Sequence, residues 1–96
     1  MISYEQDYRN FIRSRGVGRN DRVASSVDSY VSYLRSIAEI INKNIEPDLL
    51  RSDSDVEQIC SQIKGQRAPR TIRNYRSAMR QYVAFVLHEL PLHHSR

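Results

Sequence analysis

Residues 68–87 of the chain have the sequence APRTIRNYRSAMRQYVAFVL, and the fold prediction depends on this stretch. Proline is favoured in the first turn of a helix, where its missing N–H group is not needed, so Pro69 predicts a helix start. Apolar side chains then recur mostly three or four residues apart, as on the buried side of an amphipathic helix. This stripe consists of Ile72, Tyr75, Met79, Tyr82, Val83 and Val86. The stretch therefore predicts a long, core-forming last helix, which Pro91 ends.

The same spacing predicts two helices near the start of the chain. A short first helix is marked by Tyr4, Tyr8, Phe11 and Ile12. Gly16 and Gly18 then favour a turn. The apolar stripe of a longer second helix extends over residues 23–41, and Ser25 or Ser26 is expected to cap its N-terminus.

A third helix is predicted between them and the last one. Residues 54–57 (SDVE) have the S-x-x-E form of a capping box, and Gly65 is the expected stop. Pro47 predicts one short helical turn ahead of this helix. No stretch alternates as a strand would, so we expect an all-α bundle of four helices. Residues 1–90 should form a single domain, and residues 91–96 a flexible tail.

Composition excludes several classes of protein. The N-terminus lacks the apolar run of a secretory signal, and no stretch is long enough to span a membrane, so we expect no membrane partner. Cys60 is the single cysteine, which rules out an internal disulfide and suggests a cytoplasmic protein. His93 and His94 are adjacent in the tail, and two such ligands do not make a metal site. No catalytic motif is present, so we expect neither an enzyme nor a cofactor.

Charge is distributed unevenly along the chain. The net charge is +4, and thirteen of the fifteen basic residues are arginine, the residue best suited to bidentate contacts with phosphate and guanine. Residues 64–80 contain six basic residues and no acid, and residues 9–22 contain five arginines and one aspartate. Residues 39–57 contain six acids and two basic residues. This separation predicts a preferred side for a polyanion.

One face of the last helix is expected to carry a basic stripe. Its members are three or four residues apart and lie away from the apolar stripe: Arg70, Arg73, Ser77 and Arg80. Arg76 and Asn74 flank them, and Arg67 and Lys64 extend the charge beyond the helix start. Such a helix fits the major groove of DNA, where Arg can bind guanine and Asn adenine. The alternative is a solvated charged face, although the run has no acidic partners four residues away.

The second helix is expected to present a row of hydroxyl groups. Its members are again three or four residues apart: Ser25, Ser29, Ser32 and Ser36. Serine is a poor helix former, so its repetition favours a close approach by another surface, and hydroxyls bind phosphate well. Packing between helices inside the protein explains the row equally well. Tyr33 lies between this row and the apolar stripe, where it can reach a sugar–phosphate.

The order of these features resembles the N-terminal core-binding domain of tyrosine recombinases, the phage-integrase family. The resemblance is carried by SSVDSYVSYLRSIAEII, by the I-x-P-D-L-L turn, by SDSDVEQI and above all by APRTIRNYRSAMRQYVAFV. It covers roughly residues 4–87. It implies a SAM-like, orthogonal bundle of four helices, and a role in DNA recombination such as mobile elements carry out.

The resemblance also implies which residues contact DNA. In that family the second and fourth helices clamp the duplex, and the matching positions here are Ser25, Ser26, Ser29, Tyr33, Arg70, Thr71, Arg73, Asn74, Ser77 and Arg80. Two departures limit the comparison. Ala68 stands where the family usually has Ser or Thr as the helix cap. The family's catalytic Arg, His-x-x-Arg and Tyr belong to a second domain that this sequence does not include, so we expect no strand cleavage by this chain.

The sequence thus predicts a module that binds double-stranded DNA through its second and fourth helices. The alternative is a helical protein–protein interaction or self-association module, in which the acidic section of one molecule contacts the basic end of another. A separate catalytic domain or protein is a further expected partner.

Overall fold

The computed structural model describes residues 1–17 and 26–90. Within these residues the chain forms four α-helices and no strand: α1 (Glu5–Ser14), α2 (Val27–Ile41), α3 (Asp53–Ile63) and α4 (Pro69–Glu89). The predicted all-α, four-helix fold is confirmed for this part of the chain. The cap candidate Ser25, the start of the α2 stripe at Val23 and the predicted tail, residues 91–96, lie outside the described residues.

The ends of α2 follow local rules that the sequence makes visible. Ser26 caps its N-terminus, since the Ser26 hydroxyl oxygen accepts a hydrogen bond from the Ser29 N–H group over 3.0 Å. Asn42 ends the helix in the left-handed conformation, with φ of 56°. Asparagine tolerates this backbone geometry better than most residues. Of the two predicted caps, Ser26 is the one that the structure uses.

The start of α3 corrects the sequence prediction. Ser52 is the N-cap, two residues before the predicted Ser54, and its oxygen accepts from the Asp55 N–H group over 3.4 Å. Asp55 in turn accepts from the Arg51 N–H group over 2.9 Å. The earlier start places two aspartates, Asp53 and Asp55, in the first turn, where the helix dipole stabilises negative charge.

The segment between α2 and α3 is a turn and not the predicted helical turn. The Leu49 N–H group bonds to the Glu46 carbonyl over 2.9 Å, and no helix continues from it. Ile45 on one side exchanges hydrogen bonds with the backbone near Ile2, and Leu50 on the other side is fully buried. The segment is therefore a single reversal between two anchored residues.

α4 is the helix on which the core is built. It packs against α1, α2 and α3, and its predicted stripe is buried from Tyr75 to Val86, with Ile72 half-buried. Ala78 and Phe85 are also buried, which the stripe did not include. Cys60 of α3 is also buried. None of the helices in the described residues is both long and apolar enough to cross a membrane.

An aromatic cluster joins α1 to α4. The ring of Tyr8 lies 5.5 Å from that of Tyr82 and 6.3 Å from that of Phe85, between centroids. The Tyr8 hydroxyl donates to the Ala78 carbonyl over 3.0 Å, and the Tyr82 hydroxyl donates to the Ser3 carbonyl over 2.8 Å. Burial raises the pKa of both phenols, so they remain neutral donors. Both side chains are fully buried, and each hydroxyl is satisfied by a backbone carbonyl.

The Tyr8 hydrogen bond gives a test of this core. Tyr8→Phe should lower the free energy of unfolding by about 1 kcal/mol, because only the hydroxyl and its bond to Ala78 are removed. Tyr8→Ala should cost about 3–5 kcal/mol, because it also empties the space between α1 and α4. Urea unfolding followed by circular dichroism measures both. Equal losses of stability for the two variants would contradict the aromatic packing described above.

Candidate nucleic-acid interface

The N-terminal half of α4 exposes two arginines that have no partner in the described residues. Arg70 and Arg73 are exposed, and no carboxylate of residues 1–17 or 26–90 lies within 4.0 Å of either guanidinium. Ala68 at the N-cap has no side chain that can cap the helix, and Pro69 follows it. The first turn of α4 therefore combines two unneutralised cations with backbone N–H groups that no side chain caps.

The connection from α3 to α4 adds further positive charge. Gly65 adopts φ of 89°, which a residue with a side chain rarely does, and a bridge pairs Lys64 with Arg67 across this turn. Arg67 donates one N–H group to the Gln66 carbonyl over 2.8 Å and is otherwise exposed. Gly65 is the helix stop that the sequence predicted. The turn holds both cations next to the start of α4.

Farther along α4, the basic run is partly neutralised. Glu57 of α3 accepts from Arg76 over 2.9 and 3.2 Å, and from Arg80 over 3.5 Å. The hydrogen bond from Arg76 holds the pKa of Glu57 below its usual value. The run has no acidic partner four residues away on its own helix, but Glu57 reaches it from the neighbouring helix. Arg80 is thus not a free cation of the stripe.

Three polar residues of α4, Thr71, Asn74 and Ser77, lie between these arginines in the sequence. Ser77 is exposed, and its hydroxyl donates to the Arg73 carbonyl over 3.3 Å. Its side chain also lies close enough to Tyr30 of α2 to oppose the rise in the pKa of Tyr30 that burial causes. Thr71 and Asn74 are half-buried on α4. The predicted residues of α4 thus come close to α2 at Ser77.

The α2 residues of the predicted site have structural roles as well. Besides capping the helix, Ser26 donates its hydroxyl hydrogen to the Ser29 Oγ over 2.9 Å. The Tyr33 ring lies 5.8 Å from the ring of Tyr75 in α4. Within the serine row, Ser32 is exposed, whereas Ser29 and Ser36 are half-buried. Burial thus divides the row: Ser29 and Ser36 are partly covered by the protein, whereas Ser32 is open to solvent.

The other basic stretch, near the N-terminus, is engaged within the protein. Arg9 contacts Asp28 over 2.7 Å and Glu5 over 3.5 Å. Arg13 donates to the Asn10 side chain over 3.2 Å, and the Arg15 guanidinium lies 5.1 Å from the centre of the Phe11 ring. The remaining arginines of this stretch, Arg19 and Arg22, are outside the described residues. These contacts leave the start of α4 as the better candidate for a polyanion.

No metal site is evident in the described part of the chain. No three residues among its His, Cys, Asp and Glu lie together in a way that could hold a metal ion. His88 stacks on Phe11 at 6.2 Å between ring centres. His93 and His94 fall in the part of the chain that is not described. Burial raises the pKa of Cys60, which disfavours the thiolate that a nucleophile requires.

Comparisons with known proteins do not relate the chain to a protein family. No family model matches the chain, and searches of curated proteins and of solved structures gave no match. The candidate interface is therefore described by its own residues: Arg70, Arg73 and the uncapped helix start, with Arg80 farther along α4 and with Ser26 to Tyr33 on α2.

The capping role of Ser26 can be separated from any role in binding. Ser26→Ala should lower the free energy of unfolding by about 1 kcal/mol, because the Ser29 N–H group loses its acceptor. Ser26→Asp should retain most of the stability, because aspartate is an equally good cap. Thermal unfolding of the two variants measures the difference. Ser32→Ala, on the exposed side of the same helix, is the matched control and should cost nothing.

A Ser26→Asp variant as unstable as Ser26→Ala would mean that the cap does not fix the start of α2.

Proposed function

We propose that the chain is a module that binds double-stranded DNA, with the outer face of α4 against the sugar–phosphate backbone and the N-terminal part of α2 beside it. In this proposal its helices form a SAM-like, orthogonal bundle of the integrase core-binding type. The chain binds and orients the DNA, and strand cleavage belongs to another domain or protein. The site consists of Ser25, Ser26, Ser29, Tyr33, Arg67, Arg70, Thr71, Arg73, Asn74, Ser77 and Arg80.

The observation that carries the proposal is that two arginines of the described residues have no partner within them. Among those in residues 1–17 and 26–90, only Arg70 and Arg73 have a guanidinium group without an acidic, amide, carbonyl or aromatic partner. The two lie three residues apart, one helical turn, at an uncapped helix N-terminus. Two like charges at such a place repel each other and attract an anion. A nucleic-acid backbone offers anions in a regular row.

Duplex DNA suits the geometry better than a single strand. Single-stranded nucleic acid is usually bound by exposed aromatic rings on which bases stack. Here Tyr30, Tyr33 and Tyr75 lie near the basic stripe, and their rings contact one another across α2 and α4. Because these rings serve the packing of the protein, the surface offers arginine and hydroxyl groups instead. Those are the groups that contact phosphates along a duplex.

A second candidate function, self-association, is favoured by exposed acids in and after the last part of α2. Glu39, Glu46 and Asp48 are exposed and form no ion pair within the described residues. These acids can contact the basic face of another copy. Sedimentation velocity without DNA distinguishes the two functions, because only self-association gives a species whose size increases with protein concentration at low salt.

The DNA-binding proposal predicts a specific effect of charge reversal. Arg70→Glu combined with Arg73→Glu should weaken binding to a labelled duplex by about a hundredfold at low salt, because two attractions to phosphate become repulsive. It should also reduce the slope of log K against log salt by about two, one for each phosphate that the protein no longer neutralises. Fluorescence anisotropy over a range of salt concentrations measures both quantities.

The matched control reverses two cations elsewhere. Arg13→Glu with Lys43→Glu changes the net charge equally, and both residues are exposed outside the proposed surface. This pair should weaken binding far less and keep the slope. Equal effects of the two double variants would show that net charge alone matters. Absence of binding by the unaltered protein, with intact helical circular dichroism, would refute the proposal.

A further inference from the structure

Glu57 occupies an unusual place beside the basic stripe. It lies on α3, yet both of its carboxylate oxygens contact Arg76, at 2.9 and 3.2 Å, and one of them also contacts Arg80 at 3.5 Å. This is a two-pronged contact between a carboxylate and a guanidinium, the geometry that arginine also uses with phosphate. A single acid thus engages two cations of α4.

The contact lies at a groove between α3 and α4. The groove has a volume of about 650 Å³, and its charged lining residues are one acid, Glu57, and four cations, Lys64, Arg67, Arg73 and Arg76. Ile72 and Pro69 of α4 contribute apolar surface. The excess of cations means that Glu57 neutralises only part of the positive charge, and that the groove still favours an anion.

We propose that this groove is an additional phosphate-binding subsite, in which a DNA phosphate replaces Glu57 on Arg76 and Arg80. Glu57 then acts as an internal competitor of the nucleic acid. This inference rests on the proposed function, and it adds Arg76 and Lys64 to the residues that contact the backbone. It extends the interface from the α2 side of α4 to the α3 side.

The exchange is physically favourable because the internal pair is exposed. Nearly half of the Glu57 side chain, 49%, and a third of that of Arg76, 33%, are accessible to solvent. Ion pairs in such positions contribute little to stability, since water and salt screen them. A phosphate gives Arg76 the same two-pronged contact and in addition attracts the three other cations of the groove. When it enters, Glu57 returns to water at small cost.

The inference predicts that removing the Glu57 charge strengthens DNA binding. Glu57→Gln should lower the dissociation constant by about five- to tenfold at low salt, and it should steepen the slope of log K against log salt by about one to two, because one or two further arginines become available to phosphates. Fluorescence anisotropy with a labelled duplex measures both values, and thermal unfolding confirms that the variant remains folded.

Glu5→Gln provides a closely matched control. Glu5 also bridges two arginines, Arg9 at 3.5 Å and Arg35 at 3.0 Å, but it does so between α1 and α2. The substitution removes the same charge and breaks the same kind of contact away from the groove. It should therefore change the affinity only slightly and leave the slope as it is. A second comparison introduces Arg76→Gln into the Glu57→Gln protein and should abolish most of the gain.

The outcomes separate the subsite from the general function. Equal gains for Glu57→Gln and Glu5→Gln, or a gain that survives Arg76→Gln, would overturn the subsite while DNA binding itself stands. Weaker binding by Glu57→Gln would show that Glu57 positions the arginines and does not compete for them. If neither the unaltered protein nor any variant binds DNA, the proposed function fails together with the subsite.

Discussion

The packing of Tyr8 against Tyr82 and Phe85 is the contact on which the arrangement of the helices depends. It joins the first helix to the last, and its hydrogen bond to the Ala78 carbonyl fixes how the two helices are placed along each other. In a chain of 96 residues the core is small, so each large side chain contributes a substantial part of the stability. With α1 in place, α4 lies against all three other helices.

The position of α4 at the centre also determines what it can present to a partner. Its inner side supplies much of the core, from Tyr75 to Val86, and its outer side carries the arginines. The arginines near α3 are held by Glu57, whereas Arg70 and Arg73 at the helix start are not. The same helix therefore joins the stability of the fold to the electrostatics of the surface, and a partner that contacts the arginines contacts the helix that packs against all three others.

Much of the fold was predictable because it follows from local rules. The N-cap at Ser26, the stop at Gly65 and the buried stripe of α4 each depend on residues within a few positions of one another. The start of α3 was misplaced because the sequence SDSD contains two overlapping caps, and the choice of Ser52 depends on how Asp55 bonds to Arg51.

The candidate site was predictable only in part, for a related reason. Helical spacing identifies the arginines that share a face of α4, but it carries no information about the residue that faces them from another helix. Glu57 is 19 positions from Arg76 and 23 from Arg80, and the contact exists only once α3 and α4 have packed. The closeness of Ser77 to Tyr30 likewise exists only once α2 and α4 have packed.

The central claim is that the outer face of α4, continued onto the N-terminal part of α2, is where the chain contacts DNA. Backbone amide NMR spectra recorded during titration with a short duplex test it most directly. We predict shifts that are concentrated in residues 64–80 and 26–33 and that weaken as salt is added. Shifts concentrated in the acidic segment of residues 39–50, or spectra that DNA leaves unchanged, would contradict this claim.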